Sequence, residues 1–443
     1  MMEIGFYVVI LAEAHEKTFA YFDGQYLLLA GRTQPLMKHE LKKISSQPID
    51  WSDDLSLVLL VTPEISGFVE PPLLPYQCYP EAAHVDVQYL TMAHKVLQQG
   101  RQSDNRTSTS SIKLGGYMMQ YDLRNGFPLL SSKFMGIKNI ITEDVWLLNG
   151  HTNVKILHED DCHIWDEWAT PSGELGPVYG EQWVRWCDRR AVHQHADPKT
   201  HDYLKTHGYQ SAPSDDGEII HYEKKINQLQ ELIDSLKHNP HNRRMLVTAW
   251  NPGLTPDPCL LPNENAAAGQ QALPPCHTFF QCLTAPMTRE ERVDVWLNKE
   301  VMRHAEPLSI AESHARLLLL SDEDVDEKLN RDQIPHYFLD LLMYQRSGDV
   351  FLGVPYNIAS YAAVTLVLAQ LVNMVPRNYT HFLADYHVYT DHVSQLQTQL
   401  EQPIRPMPTM TIKPFSSLDE LTVAHFELHD YTPGIRLKGK VAV

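Results

Sequence analysis

The stretch Leu273-Pro274-Pro275-Cys276-His277-Thr278-Phe279-Phe280-Gln281 sets the frame for the rest of the chain. Pro274 and Pro275 fix φ and supply no N–H, so the chain approaches Cys276 stiff and extended. Thr278-Phe279-Phe280 has the β-branched and aromatic character of a strand start. A thiol at the lip of a strand, held by a rigid approach, suits a nucleophile. A second reading stands beside it, because most cysteines in an intracellular chain are small buried hydrophobes. What decides between them is the company the cysteine keeps elsewhere in the sequence.

The 443 residues are enough for two or three domains and a large core. Hydrophobic residues make up 43% and charged residues 21%, as in ordinary soluble proteins. The six cysteines, at 78, 162, 187, 259, 276 and 282, form no C-x-x-C pair. That spacing argues for a reducing compartment and against a disulfide scaffold or a zinc ribbon, and no metal is expected. The N-terminal run from Met1 to Ala12 has no basic segment and is too short to cross a bilayer. It reads as a first strand, and a cytoplasmic location is expected. The net charge is −18, from 37 basic and 55 acidic residues. So acidic a chain is a poor non-specific partner for nucleic acid or an anionic membrane, and neither is expected. An anionic substrate would require a local arginine cluster.

Residues 1–84 read as a small accessory α+β unit. The runs Tyr7–Leu11, Gln25–Ala30 and Leu55–Val61 have strand length and composition. No polar constellation stands out there. Glu70–Pro80 is proline-rich and reads as a stiff linker. Helical periodicity begins near Val87–Leu97, and Arg106 follows in a loop of hydroxyl and amide groups, where a phosphate site and a solvated arginine are both open. A helix over Asn139–Asn149 carries Glu143 beside an apolar face. Ile164-Trp165-Asp166-Glu167-Trp168 and Gly176–Trp183, which contains Tyr179, are dense in aromatics that either stack a heterocycle or fill a core.

Residues 188–222 read as a polar surface excursion, and about 284–335 as a second insertion with an acidic run at Ser321–Lys328. Between them lie an amphipathic helix over Ile226–Leu236, the pair Arg243-Arg244, a strand over Met245–Trp250, and a loop over 252–272. Tyr337–Met343 reads as a strand that leads into Gln345-Arg346-Ser347-Gly-Asp349, then Asn357-Ile-Ala-Ser-Tyr361. An apolar core helix is expected over Ala362–Met374. A planar amide such as Asn357 offers one donor and one acceptor to a matching base edge.

In order and spacing, Arg106, Trp165, Tyr179, Arg243-Arg244, Pro-Cys276-His277, Gln345-Arg346-Ser347-Gly-Asp349, Asn357-Ile-Ala-Ser-Tyr361 and His387-Val-Tyr389 resemble the thymidylate synthase family. The resemblance spans roughly residues 85–443 outside the insertions. It implies an α/β (α+β) fold with a large twisted mixed sheet flanked by helices. It also implies a homodimer that binds dUMP and 5,10-methylenetetrahydrofolate. On that resemblance Cys276 is the nucleophile that adds to C6 of the pyrimidine, and Arg346 steadies it. Arg106, Gln345, Arg346 and Ser347 hold dUMP, with Arg243 and Arg244 reaching across from the other subunit. Asn357 reads the base, and His387, Tyr389 and Tyr431 surround the ribose. Glu143, Tyr179 and His277 handle protons. Asp349 binds the pterin. Ile164, Trp165, Trp168, Leu352, Gly353, Tyr356, Lys133 and the tail residue Ala442 contact the folate.

The sequence departs from the family in several places. Phe134 follows Lys133 where arginine is usual, Tyr356 replaces phenylalanine, and Leu383-Ala-Asp385 replaces Gly-Gly-Asp. The tail is short near Pro433-Gly434. Reductive methylation of dUMP is the expected activity. dUMP 5-hydroxymethylation, in which water replaces hydride, is the sister alternative. A scaffold protein whose N-terminal unit does the work is a third reading.

Overall fold

The computed structural model describes residues 84–104, 109–212, 218–304 (backbone alone for 300–304) and 321–441, with the backbone of four strands nearer the N-terminus. The chain divides into two compact units, Met1–Pro72 and Leu73–Val443. In the first, β1 (Gly5–Leu11), β2 (Lys17–Phe22), β3 (Leu27–Leu29) and β4 (Leu41–Ile44) form one sheet in the order β3-β2-β1-β4. The strand expected over Leu55–Val61 lies outside the described residues, as does the remainder of the expected α+β unit.

The second unit is built on a six-stranded mixed sheet. Its strands are β5 (Arg101–Ser103), β6 (Ser111–Asp122), β10 (Leu246–Thr248), β11 (His277–Pro286), β12 (Tyr337–Asp349) and β13 (Val375–Tyr389), in the order β10-β11-β12-β13-β6-β5. Only β12 and β13 run parallel. A parallel pair needs a crossover, and the connecting helix supplies it. That helix, Gly353–Leu371, is apolar nearly all round and buries Val354, Ile358, Ala359, Ala362, Ala363, Val367 and Leu368. Among the described residues it is the one helix long and apolar enough to cross a membrane, and it lies inside the protein.

The helices pack partly on this sheet, as α1 and the crossover do, and partly on the insertions. In chain order they are α1 (Val85–Gln99), α2 (Ile137–Leu148), α3 (Val154–His158), α4 (Tyr179–Arg185), α5 (Pro198–Thr206), α6 (Gln228–His238), α7 (Pro262–Ala267), α8 (Arg289–His304), α9 (Asp322–Arg331), α10 (the crossover) and α11 (Val393–Leu400). A two-stranded ribbon of β14 (Thr409–Ile412) and β15 (Phe426–His429) follows near the C-terminus.

Three expectations need correction. The crossover helix starts at Gly353 rather than Ala362 and ends at Leu371. Pro355 looks like a breaker but sits in the first turn, where its missing N–H is not needed. Strand β12 continues past Met343 to Asp349, so Gln345, Arg346 and Ser347 stand on a strand. The stretch expected as a loop over 252–272 contains the short helix α7, and the polar excursion carries secondary structure of its own. β7 (Trp186–His193), β8 (Gln210–Ala212) and β9 (Ile219–Ile226) form a small antiparallel sheet with α5. Its strands are polar because little of either face is buried. In the second insertion α8 and α9 close a separate small core of Trp296, Val325, Leu329 and Ile334.

One buried carboxylate ties the helical layer to the loop that follows β6. Asp86, in the first turn of α1, has no exposed surface. It accepts from Ser131 N and Oγ, both at 2.8 Å, and from Ser132 N at 2.9 Å. The two backbone donors would be stranded if the acceptor were removed, at about 1–3 kcal/mol apiece, while the Ser131 hydroxyl keeps Arg405 O at 3.4 Å. Asp86→Ala is therefore expected to lower the unfolding free energy by about 3 kcal/mol or more in urea titrations. A loss below about 1 kcal/mol would contradict this account.

Candidate active site

Cys276 stands one residue before β11, half-buried, at a point where the ladder to β12 slips register between His277 and Phe279. Such irregularities re-aim side chains at a strand end. The prolines do more than stiffen the approach. Arg346 donates from Nε to Pro275 O (3.2 Å) and from Nη2 to Pro274 O (3.3 Å), while its backbone N–H bonds Cys276 O at 2.7 Å. The guanidinium is thereby held with Nη2 3.9 Å from Cys276 Sγ, its carbon 5.7 Å from the Trp250 ring centre. A cation so close favours negative charge on the sulfur.

The other side of Cys276 is aromatic. Its N–H donates to the Tyr179 hydroxyl at 2.8 Å, and the Tyr179 ring stacks on His277 with centroids 4.1 Å apart. His277 Nδ1 lies 2.7 Å from the Tyr361 hydroxyl. Burial pushes the His277 imidazole down to about 3, so it is neutral at ordinary pH. Burial likewise raises the Tyr179 and Tyr361 phenols well above their usual range. The result is a neutral chain of hydroxyl and imidazole groups beside the thiol.

Asn357, one turn into α10, is oriented by a chain of hydrogen bonds whose direction is forced. Gln345 Nε2 donates to Ser347 O (3.0 Å), a carbonyl that only accepts, and to Asn357 Oδ1 (2.9 Å). Gln345 Oε1 then faces His381 Nε2 at 2.7 Å, which must be the protonated nitrogen. Burial, then the nearby His277, pushes His381 down to about 3. The amide of Asn357 is thus fixed as it faces the site. His387 and Tyr389 follow on β13, with His387 Nδ1 2.8 Å from Asp385 Oδ1 and its ring edge-on to Tyr389. The sheet register places Asp349 opposite His387 and Ser347 opposite Asp385, so these residues share one end of the strands.

Glu143 closes a further side. Its Oε1 accepts from Trp165 Nε1 at 2.7 Å, and burial raises its carboxyl to about 7. A group poised there serves as acid or base at neutral pH. Trp165 also contacts Trp168, Trp146 and Tyr179, and Ile164, Trp168, Leu352 and Tyr356 lie half-buried on the edge of the core. Trp165 and Trp168, packed edge to face, make an aromatic wall beside the carboxylate.

Several expected site residues stand elsewhere or are already occupied. Lys133 is buried, with Nζ donating to Phe351 O and lying over the Phe351 ring, and burial lowers its ammonium to about 7. It is a core lysine, not a surface ligand, which corrects its assignment to the folate site. Asp349 caps the turn into Gly353, accepting from Phe351 N and Leu352 N. The Tyr431 hydroxyl donates to Leu130 O (2.9 Å) and accepts from Met135 N (3.0 Å), so it anchors the tail to the loop before α2. Beyond it, Phe134 N bonds Ile435 O, and His392 Nε2 bonds Lys440 O. Arg106 and Ala442 lie outside the described residues.

Arg243 and Arg244 are exposed and precede β10, which pairs antiparallel with β11. Leu246 is opposite Gln281 and Thr248 opposite Phe279, so the arginines sit toward the far end of β11 from Cys276. At strand rise that is roughly 20 Å within one chain. The structure does not bring this pair to the thiol.

Sequence reasoning missed His381 and Asp144. His381 is a histidine inside the apolar run Tyr379–Leu383, which by itself calls for a buried partner. Asp144, beside Glu143 and raised by burial, bonds Ser360 on α10 and carried no such signal.

Because Trp165 hydrogen-bonds Glu143, its fluorescence should titrate with a midpoint near pH 7. The direction is fixed by burial, which favours the protonated form, so the carboxylate appears only as pH rises through that value. Glu143→Gln is expected to abolish the transition; its persistence in that variant would assign it to another group.

The sequence matches the thymidylate synthase family over residues 87–307 and 321–443. Members of that family are enzymes of methyl-transfer type that bind dUMP and a folate. With Cys276, Arg346, Asn357 and Glu143 around one end of the mixed sheet, the chain belongs to the thymidylate synthase family.

Proposed function

We propose that the protein is a thymidylate synthase, converting dUMP to dTMP by reductive methylation with 5,10-methylenetetrahydrofolate. The observation that carries this reading is the guanidinium of Arg346 held 3.9 Å from Cys276 Sγ, with Asn357 fixed nearby on α10. Uracil C5 is a poor nucleophile until something adds at C6. The Cys276 thiolate forms that S–C6 bond, and the electron pair of the C5–C6 bond becomes available at C5. The amide of Asn357 matches the O4 and N3–H of uracil. Arg346 and Ser347 face the substrate phosphate.

The aromatic wall of Trp165 and Trp168 borders Glu143 and suits the flat ring of a folate, with Ile164 and Leu352 as further apolar contacts. When bound, the folate supplies both the one-carbon unit and the hydride. Glu143, poised near neutrality, moves a proton at the O4 side of the base. Tyr179, hydrogen-bonded to Cys276 N, lies where the C5 proton is taken through ordered water. Loss of the C6 sulfur bond then frees the thiol. The tail, docked on Phe134 and His392, keeps bulk water out, which favours hydride from the folate over water as the nucleophile that adds to the exocyclic methylene.

A homodimer completes this site. On the sheet face away from the helices, Thr248, Phe279, Tyr344, Phe382 and Met118 stand in one cross-strand row. Met118 is 58% and Tyr344 37% exposed, and Leu246 beside them 42%. A row of that kind on a soluble protein marks an interface. Pairing two such faces brings Arg243 and Arg244 of the partner subunit to a phosphate that this subunit's own pair does not reach.

Incubation with dUMP and the folate should give dTMP by mass spectrometry, and 5-hydroxymethyl-dUMP as main product would overturn the synthase reading. Cys276→Ser should lower kcat by at least about a thousandfold while still binding dUMP; unchanged turnover would remove Cys276 from the mechanism. Cys276→Ser protomers mixed with Arg243→Ala/Arg244→Ala protomers should recover roughly a quarter of full activity through mixed dimers with one intact site. No recovery on subunit exchange would place the arginines in the same chain's site.

A further inference from the structure

Next to the aromatic wall, three side chains converge that the chemistry above does not use. His158 ends α3, and His163 and Asp166 follow on the turn that carries Trp165. His158 Nε2 lies 2.7 Å from Asp166 Oδ1, and His163 Nδ1 lies 2.8 Å from Asp166 Oδ2. The two imidazole centroids are 4.5 Å apart. Asp161, with a left-handed φ of 59°, sets its carboxylate 3.5 Å from the other nitrogen of His163. All four residues are exposed.

We propose that His158, His163 and Asp166 form a binding site for a divalent cation of the zinc class. Their three ligand atoms lie within 4.8 Å of one another. Reaching metal bond lengths of about 2.0–2.2 Å from there takes side-chain shifts of under about 1 Å. Two imidazole nitrogens with one carboxylate oxygen suit zinc, nickel or copper, whereas calcium and magnesium prefer oxygen-only sets. Without the cation, the two rings share one carboxylate through their protons; the cation takes the place of those protons. Three protein ligands leave coordination positions to water, so this is an accessible site and not a closed structural one.

Its position gives it a consequence. Ile164 and Trp165 are bracketed by His163 and Asp166, and Trp165 holds Glu143. A cation there clamps the turn that builds the apolar wall. That coupling rests on the folate reading above, but the binding itself does not.

Calorimetric titration of the full chain with zinc, in the absence of substrates, tests the site. The chain has 23 histidines, so two double variants are compared with the parent protein. His158→Gln/His163→Gln is expected to lose one zinc equivalent per chain. His193→Gln/His195→Gln, on the polar excursion, is expected to retain it. Cobalt should give visible absorption in the parent that vanishes in the first variant, and zinc should change tryptophan fluorescence only where that equivalent binds. Circular dichroism confirms that the exposed substitutions leave the fold intact. Zinc binding of the same stoichiometry and affinity in His158→Gln/His163→Gln overturns the assignment. The readout needs no turnover, so its failure is distinct from failure of the synthase reading.

Discussion

The hold of two proline carbonyls on one guanidinium organises this structure. Pro274 and Pro275 have no N–H to give a ladder, yet their carbonyls are free to accept, and Arg346 takes both. That pins a cation beside the Cys276 sulfur, and among the described residues no carboxylate forms a salt bridge with it. It also joins the start of β11 to β12 where their register slips. Every other group at the site is placed relative to this junction, whether through β12 (Gln345), the crossover helix (Asn357) or the stacked ring of His277.

Much of the local structure was legible in the sequence. The helix around Val87–Leu97, the helix carrying Glu143 and the strand before Trp250 show simple periodicity, and each forms within a few residues of its expected limits. What could not be read was set by tertiary environment. Gly353 and Pro355 carry the signature of a break, but at the first turn of a helix neither residue costs much. Gln345–Asp349 is polar, so it resembles a loop, although the residues lie on a strand whose end faces the site.

Burial of polar groups was harder still to foresee. Lys133 reads as a surface charge, and only the packing of Phe351 reveals that its ammonium sits inside. The pairing of Gln345 with His381 spans 36 positions and has no local trace. Glu143 looked as suited to solvent as to a site until Trp165, 22 residues on, was seen to bond it. Resemblance to a family nominates candidate residues because it compares the whole order of motifs. Physical reading of single stretches left each of them open.

The anchor between Tyr431 and Leu130 joins positions 301 residues apart. The loop before α2 therefore finds this partner only once Tyr431 has emerged from the ribosome. A nascent chain stalled or cut short of that point would carry Cys276 and Arg346 yet lack this anchor.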